Sequence, residues 1–166
     1  MNLVAAASVL EPALERFWEQ KKMGSPSWDD GQIAIYFMLC AFALENLMKA
    51  SLVEQMIGKG SLSLETKSFP ANLKGHDLMK LTQRCGKPEL AAEHSSILQR
   101  LSRSAVWYGR YPAPISPNDM NSVSSSPNGE IVGLRGYTSD DRDDVMYLLN
   151  EFGLGKSNLQ IICPLR

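Results

Sequence analysis

Cysteine is scarce in this sequence of 166 residues. Cys40, Cys85 and Cys163 are far apart and odd in number, with no C-x-x-C pair among them. This spacing excludes a disulfide framework and the usual zinc sites, and it is typical of a reducing compartment. A glycine-rich phosphate loop and a nucleophile elbow are also missing, so the common NTPase and hydrolase chemistries are not indicated. We expect no metal and no cofactor.

Long uncharged apolar runs are missing as well. The longest, residues 33–44, is shorter than the roughly 20 residues that cross a bilayer. Residues 1–18 are rich in alanine, but they lack a basic segment and carry Glu11 and Glu15, which is not the pattern of a signal peptide. The sequence therefore predicts a soluble, cytoplasmic protein with no membrane contact.

The sequence also lacks an excess of positive charge. The 17 Lys and Arg residues are balanced by 18 Asp and Glu residues, and the net charge is −1. A protein that coats nucleic acid through bulk charge is excluded, so any contact with nucleic acid must be a local basic patch. The apolar content of 44% is ordinary for a globular protein, and the length predicts a single domain, 1–166.

The spacing of apolar residues predicts an all-α fold, an antiparallel bundle of about five helices. The expected helices run from the Ser8-x-x-Glu11-Pro12 start signal to about Lys22, and over about 28–57, 76–85, 88–110 and 138–153. The core then comprises about 8–112 and 138–153. Residues 113–137, rich in Pro, Ser, Asn and Gly, form a long loop before the last helix, with room for a short hairpin arm at 130–132.

The second predicted helix dominates this fold. It contains no proline and has no polar face over its first half. A helix that is apolar all round is buried on all sides, so it is the central element of the bundle or it also faces a second subunit. Glu45 and Lys49, spaced i,i+4, then open a polar edge. The pair is either a structural clamp for an adjacent loop or a site for a phosphate or a partner.

The fourth predicted helix carries a basic stripe made of Arg100, Arg103, Trp107 and Arg110. These residues are three or four positions apart, and no Asp or Glu occurs between His94 and Asn118. Two interpretations stay open. The guanidinium groups around an indole bind a phosphate or a base, or they form a solvated face with Trp107 partly in the core.

The first turn of the last helix contains an acidic cluster, Asp140, Asp141, Asp143 and Asp144. Carboxylates in this position chiefly complement the helix dipole and are solvated. The sequence has no calcium-loop pattern that would add further oxygen ligands. We therefore predict no metal site here.

Three segments, in the right order and spacing, resemble motifs of the HEPN domain family. They are Ala43-Leu44-Glu45-Asn46-Leu47-Met48-Lys49-Ala50, similar to A-x-E-x-x-x-K-A-L; Gly75-His76-Asp77-Leu78-x-x-Leu81, similar to T/G-H-D-L-x-x-L; and Ala105-x-x-x-x-Arg110-Tyr111-Pro112, similar to A-x-x-x-x-R-Y-P. The resemblance covers roughly residues 30–112. It implies an antiparallel helical bundle, frequently a homodimer, that associates with nucleotides or RNA. It also implies a nucleotidyltransferase-like partner protein or a role in defence or toxin–antitoxin systems.

Many HEPN proteins are metal-independent ribonucleases with an Arg-x(4–6)-His signature, and this chain departs from it. The only histidines are His76 and His94, and no arginine stands five to seven residues before either. Such cleavage needs a His that titrates near neutral pH beside an Arg that stabilises the phosphorane charge. The catalytic candidates that remain are His76 and Arg110, brought together from different helices.

The sequence thus predicts a HEPN-like domain that binds a nucleotide or RNA phosphate without catalysis and works with a partner. The expected binding residues are Lys49, Lys74, His76, Arg103, Trp107, Arg110 and Tyr111, with Trp107 as a stacking surface. For two of these residues a structural role is the alternative. His76 would then form a hydrogen bond with a backbone carbonyl, and Arg110 would bind carbonyl groups at the end of its own helix or pair with Glu45. The alternatives are a helical dimerisation or protein-interaction module and an unconventional metal-independent ribonuclease.

Overall fold

The computed structural model describes residues 3–24, 30–62, 70–108, 123–125, 131–133 and 137–153. Over these residues the chain forms seven α-helices: α1 (Leu3–Ser8), α2 (Glu11–Lys22), α3 (Asp30–Gly58), α4 (Leu78–Arg84), α5 (Pro88–Glu93), α6 (Ser95–Arg103) and α7 (Ser139–Glu151). A 3-10 turn, Ala71–Leu73, precedes α4, and a π-helical turn, Ser104–Tyr108, continues α6. The predicted all-α helical bundle is confirmed.

A small β-hairpin occurs in the segment predicted to be a long loop. Strand β1 (Val123–Ser125) pairs antiparallel with strand β2 (Ile131–Gly133), and Ser124 lies opposite Val132. The second strand overlaps the hairpin arm expected at 130–132.

Helix α3 is the central element, as expected, and α1, α2, α4, α6 and α7 all contact it. Its buried side includes Phe37, Leu44 and Met48, each with none of its surface exposed. The ring of Phe37 stacks on Tyr137, just before α7, with the ring centroids 3.7 Å apart. The last helix is therefore held against the centre of the bundle.

The described residues leave one side of α3 uncovered, so the expectation that this helix is buried on all sides stays a prediction. Ile35, on this side, has 44% of its surface exposed. The segment Gly31–Gly58 is long and apolar enough to cross a membrane by length and composition, and 56% of its most apolar window is buried within the protein. The sequence analysis did not identify this longer segment as a possible membrane span, because it considered only the uninterrupted run of uncharged residues, 33–44.

One predicted helix is divided in the structure, and a short helix that was not predicted, α1, precedes the first predicted one. Ser8 ends α1 instead of starting a helix, and its hydroxyl donates to the carbonyl of Ala5, although Pro12 does occupy the first turn of α2. The helix expected over 88–110 breaks at His94, whose φ of −101° and ψ of 25° lie outside the helical range. This residue is turned inward, with 9% of its surface exposed and Nδ1 3.5 Å from Oδ1 of Asp144. The additional helix α1 and the break at His94 account for seven helices over the described residues in place of the five predicted.

Candidate functional site

A buried carboxylate gathers two cationic side chains on the polar edge of α3. Glu45 is 6% exposed. Lys49, one turn further along the helix, places Nζ 2.6 Å from its Oε1. His76, which comes from the connection before α4, places Nδ1 3.0 Å from both carboxylate oxygens. We call these three side chains the Glu45 cluster.

Local sequence fixes the part of the chain that delivers His76. Asp77 caps α4, since its Oδ1 accepts a hydrogen bond from the backbone N–H of Lys80 at 3.1 Å. The next backbone N–H, that of Leu78, donates to Oγ of Ser102 on α6 at 2.9 Å. The connection is thereby tied to the C-terminal half of α6 as well as to α3. The backbone that follows His76 is therefore anchored, and the imidazole itself is held by Glu45.

The geometry leaves one nitrogen of His76 for a ligand. Its side chain is 48% exposed, whereas that of Glu45 is 8% exposed. A carboxylate bonded to Nδ1 fixes the tautomer and the orientation of the ring, which leaves Nε2 as the nitrogen that can meet an incoming group. Lys49 offsets the charge of Glu45, so an anion that approaches His76 does not meet an uncompensated carboxylate.

A groove of about 380 Å³ lies between α4 and α6. The side chains that line it are Asp77, Met79, Lys80, Gln83, Gln99 and Ser102. Their amides and hydroxyl offer hydrogen bonds, and Met79 supplies a soft apolar surface. Asp77, which lines the groove, is the residue that follows His76 in the chain. Among the described residues, no group of three or more His, Cys, Asp or Glu side chains is arranged to hold a metal ion.

The structure brings together part of the predicted site. Lys49 and His76 meet at Glu45, so the predicted Glu45–Lys49 clamp is confirmed, and it holds the loop through His76. The expected bond from His76 to a backbone carbonyl is wrong, because the partner is a carboxylate. Lys74 is exposed two residues earlier, and Arg103 is half-buried next to Ser102.

Three further predicted residues lie partly or wholly beyond what the structure describes. Arg110 and Tyr111 are outside the described residues. Trp107 belongs to the π-helical turn by its backbone, and its side chain is outside the description. The roles assigned to these residues stay predictions.

Arg100 does not belong to a basic stripe. Its side chain is entirely buried and forms a bidentate pair with Asp141, in which Nη1 donates to Oδ2 at 2.8 Å and Nη2 to Oδ1. The guanidinium also lies over the ring of Tyr137, 5.4 Å from the centroid. Both interpretations of the stripe are wrong for Arg100, because it is neither solvated nor open to a ligand. The π-helical turn after Arg103 further alters the helical spacing on which the stripe depended.

Sequence reasoning missed the environment of Arg100. Asp141 was grouped with its solvated neighbours, yet its Oδ2 also accepts from the backbone N–H of Thr138 at 2.7 Å and from Oγ1 at 3.1 Å. Ser104 and the hydroxyl of Tyr137 form a further buried hydrogen bond of 2.5 Å. One signal was present in the sequence: Arg100 comes three positions after the apolar Ile97, which is the spacing of residues on one face of a helix.

The chain was compared with models of protein families, with curated proteins and with solved structures, and none of them matches it. The resemblance to HEPN domains therefore rests on the three sequence motifs. The two motifs that lie in the described residues meet in space, since Glu45 and Lys49 of the first contact His76 of the second.

Proposed function

We propose that this chain is a HEPN-like domain that binds a phosphate group of RNA or of a nucleotide on the open side of the Glu45 cluster. The observation that carries the proposal is the half-exposed imidazole of His76, which a buried carboxylate holds in place. A surface histidine without such an anchor has free rotamers and loses entropy when it binds a ligand. This one is already oriented by Glu45.

Cations around the cluster suit an anionic ligand. Lys74 stands exposed just before His76, and Arg103 lies at the end of α6, whose Ser102 bonds the start of α4. In this proposal Nε2 of His76 and the ammonium of Lys74 contact the phosphate first. Arg103, with Arg110 and Tyr111 beyond the described part, completes the site as the sequence motif predicts. Electrostatic binding of this kind weakens with salt because cations are released when a phosphate is bound.

The proposed role is non-catalytic, and the domain works with a partner. The resemblance favours a cytoplasmic setting with a nucleotidyltransferase-like protein or a defence or toxin–antitoxin system. The site itself explains why a partner is needed, since it offers recognition of a phosphate without the Arg-x(4–6)-His pair.

The binding test measures the fluorescence anisotropy of labelled single-stranded RNA with the whole chain over a series of salt concentrations. We expect affinity to fall with salt, and Lys74→Ala and Arg110→Ala each to lower the slope of log affinity against log salt by about 1. The matched control is Lys22→Ala, which removes an exposed lysine of α2 remote from the cluster. His76→Gln keeps a hydrogen-bonding side chain over Glu45, whereas His76→Ala removes it, and we expect only the latter to abolish binding fully.

RNA binding that is insensitive to salt, or that survives every one of these substitutions, would contradict the proposal. The unfolding midpoint of each variant is measured alongside. A loss of affinity is attributed to the binding site only for a variant whose unfolding midpoint is unchanged.

A second candidate function, a metal-independent ribonuclease, is favoured by one observation. A carboxylate that orients an imidazole is the arrangement found behind many general bases. The test is a time course of end-labelled total RNA with the protein in EDTA, run beside Arg110→Ala and His76→Ala. Cleavage by the wild type alone would establish catalysis. Activity that survives both substitutions, or no cleavage at all, would eliminate it.

A further inference from the structure

The contacts of Glu45 determine which nitrogen of His76 carries a proton. Nζ of Lys49 lies 2.6 Å from Oε1 of Glu45, and an ammonium group can only donate, so the carboxylate accepts this hydrogen bond. An ionised carboxylate has no proton to give. Nδ1 of His76 lies 3.0 Å from both oxygens of Glu45, so Nδ1 is the donor. The imidazole is therefore protonated on Nδ1.

This tautomer decides what Nε2 of His76 can do while the imidazole is neutral. A neutral imidazole carries one N–H group, and its other nitrogen has a lone pair that accepts a hydrogen bond. With the proton on Nδ1, the lone pair is on Nε2, the nitrogen that an incoming group can meet. The side chain of His76 is 48% exposed, so a ligand can approach the ring.

A neutral Nε2 does not suit a phosphate group. The oxygens of an ionised phosphate accept hydrogen bonds, and two acceptors do not bond each other. The group that meets Nε2 must donate, and a ribose 2′-hydroxyl can do so. This hydroxyl is present in every ribonucleotide whatever its base, and it is absent from DNA. The donors on the bases, by contrast, differ from one base to another.

We propose that His76 distinguishes RNA from DNA, because its neutral imidazole accepts a hydrogen bond through Nε2 from a ribose 2′-hydroxyl. This inference rests on the proposed function, in which Lys74 contacts the phosphate, and it adds the part of the nucleotide that gives specificity. A strand that lacks the 2′-hydroxyl leaves Nε2 without a donor and loses one hydrogen bond.

Protonation of the imidazole changes this preference. An imidazolium donates from both nitrogens, so Nδ1 keeps its bond to Glu45 and Nε2 gains a proton that a phosphate oxygen can accept. RNA and DNA both offer that oxygen. As the pH falls, the affinity for both therefore rises, and the affinity for DNA rises more because DNA had no bond to Nε2 before. The ratio of RNA affinity to DNA affinity thus grows as the pH rises.

Among the charged groups of the described residues around the site, His76 is the only histidine. The other charged side chains on these elements are Glu45 and Lys49 on α3, Lys74 on the connection, Asp77 and Lys80 at the start of α4, and Arg103 on α6. Histidine is the side chain whose charge ordinarily changes between pH 5 and 8. The second histidine of the chain, His94, lies beside Asp144 of α7 in another part of the bundle. A change in preference over this pH range therefore reports His76.

The test measures the fluorescence anisotropy of labelled strands of about ten nucleotides with the whole chain, at about pH 5.5 and about pH 8. The strands are oligouridine, oligodeoxyuridine and 2′-fluoro oligouridine, which share their bases and phosphates and differ only in the 2′ group. At about pH 8 we expect RNA to bind about fivefold more tightly than either of the others, which is the effect of one hydrogen bond. At about pH 5.5 the three affinities should lie within about twofold of one another, because the bond to phosphate is common to all three.

Two substitutions separate His76 from the rest of the site. His76→Gln places an uncharged amide over Glu45 that donates and accepts at every pH, so the ratio of RNA affinity to DNA affinity should no longer depend on pH. Lys74→Ala is the matched control, since it removes a phosphate contact that RNA and DNA share. It should weaken the binding of both strands by the same factor and leave the pH dependence of the ratio in place. The unfolding midpoint of each variant is measured at both pH values.

A second measurement needs no nucleic acid. The nitrogen NMR resonances of the two histidines at about pH 8 show which ring nitrogen carries the proton, and His76→Gln identifies the signals of His76. We expect a protonated Nδ1 and an unprotonated Nε2. A proton on Nε2 would overturn the proposal whatever the strands do.

Three binding results would also overturn it. They are equal affinity for the three strands at the higher pH, a 2′-fluoro strand that binds like RNA, and a preference for RNA that changes with pH in His76→Gln as it does in the wild type. These results would leave the proposed function intact, because a phosphate site binds RNA and DNA alike. If no strand binds at any salt concentration, the proposed function and this inference both fail.

Discussion

At the scale of single residues, the most consequential side chain is an arginine inside the core. Arg100 and Asp141 are 41 positions apart in sequence and meet with no exposed surface. Asp141 was expected to be solvated, and Arg100 was expected to be solvated or to bind a phosphate or a base. A stretch of sequence shows only its own neighbours, which are three other aspartates for Asp141 and a row of basic residues for Arg100. Only one local feature distinguished Asp141 from the neighbouring aspartates: it stands three residues after Thr138, which is the spacing of a capping box.

We predict that Asp141→Asn lowers the free energy of unfolding by about 3 kcal/mol, because it leaves the charge of Arg100 buried without a counter-charge. Asparagine keeps the shape and can still cap α7, so the loss reports the ion pair. Urea denaturation measures it, with Asp143→Asn, an exposed neighbour, as the control. A loss below about 1 kcal/mol would mean that the pair is solvated in the native protein.

A second residue-scale prediction concerns pH. Burial raises the pKa of the Cys40 thiol from its ordinary value of 9.0 to about 12, although a hydrogen bond with Tyr36 acts in the opposite direction. Below pH 9 the thiol is neutral in both states. Above it the unfolded chain loses the proton first, so folding stability falls with rising pH until the folded thiol also titrates, by up to about 1.4 kcal/mol per pH unit.

Cys40→Ala removes this contribution, so the loss of stability between pH 9 and 10.5 should be smaller in the variant than in the wild type. Urea unfolding at a series of pH values measures both. Burial also raises the pKa of Tyr36, and the charge of Cys40 raises it further, so Cys40→Ala reduces the contribution of Tyr36 in the same direction. Parallel curves would contradict the prediction.

At the scale of elements, helices were predictable where the chain carries a strong start or stop signal. The bounds of α3 agree with the expectation within about two residues, and Pro88 starts α5 as predicted. Gly86, with a φ of 82°, separates α4 from α5 at a position that favours glycine. No such signal marks the break at His94 or the π-helical turn after Arg103. Those irregularities arise from tertiary packing, which turns His94 and Ser104 inward.

The start of α7 gives an element-scale prediction. Thr138 caps this helix and bonds to Asp141, so Thr138→Ala should lower the free energy of unfolding by about 1 kcal/mol. Ser139→Ala is the control, since the Ser139 hydroxyl is exposed and bonds only to Asp140 among the described contacts. Thermal unfolding of the two variants under the same conditions distinguishes them. Equal effects would show that the cap does not stabilise the helix.

At the scale of the whole molecule, the sequence predicted the all-α class and the central helix, and the motifs singled out residues that prove to be neighbours. Glu45, Lys49 and His76 were identified in separate segments and form one cluster. Sequence alone could not tell which basic residues face inward, because that depends on where α7 packs. The expectation that α3 is buried on all sides or faces a second subunit stays a prediction, because the described residues leave Ile35 exposed on one side of the helix.

The pair of Arg100 and Asp141 has a further consequence for how this protein can change over evolutionary time. It fastens α6 to α7 across the connecting residues 109–136, so the two ends of that connection are held at a fixed separation whatever lies between them. Closing a flexible loop costs only about 0.6 kcal/mol more for each doubling of its length. Insertions and deletions between the two helices are therefore cheap, and this is the part of the chain in which new recognition elements can be gained while the bundle beneath stays the same.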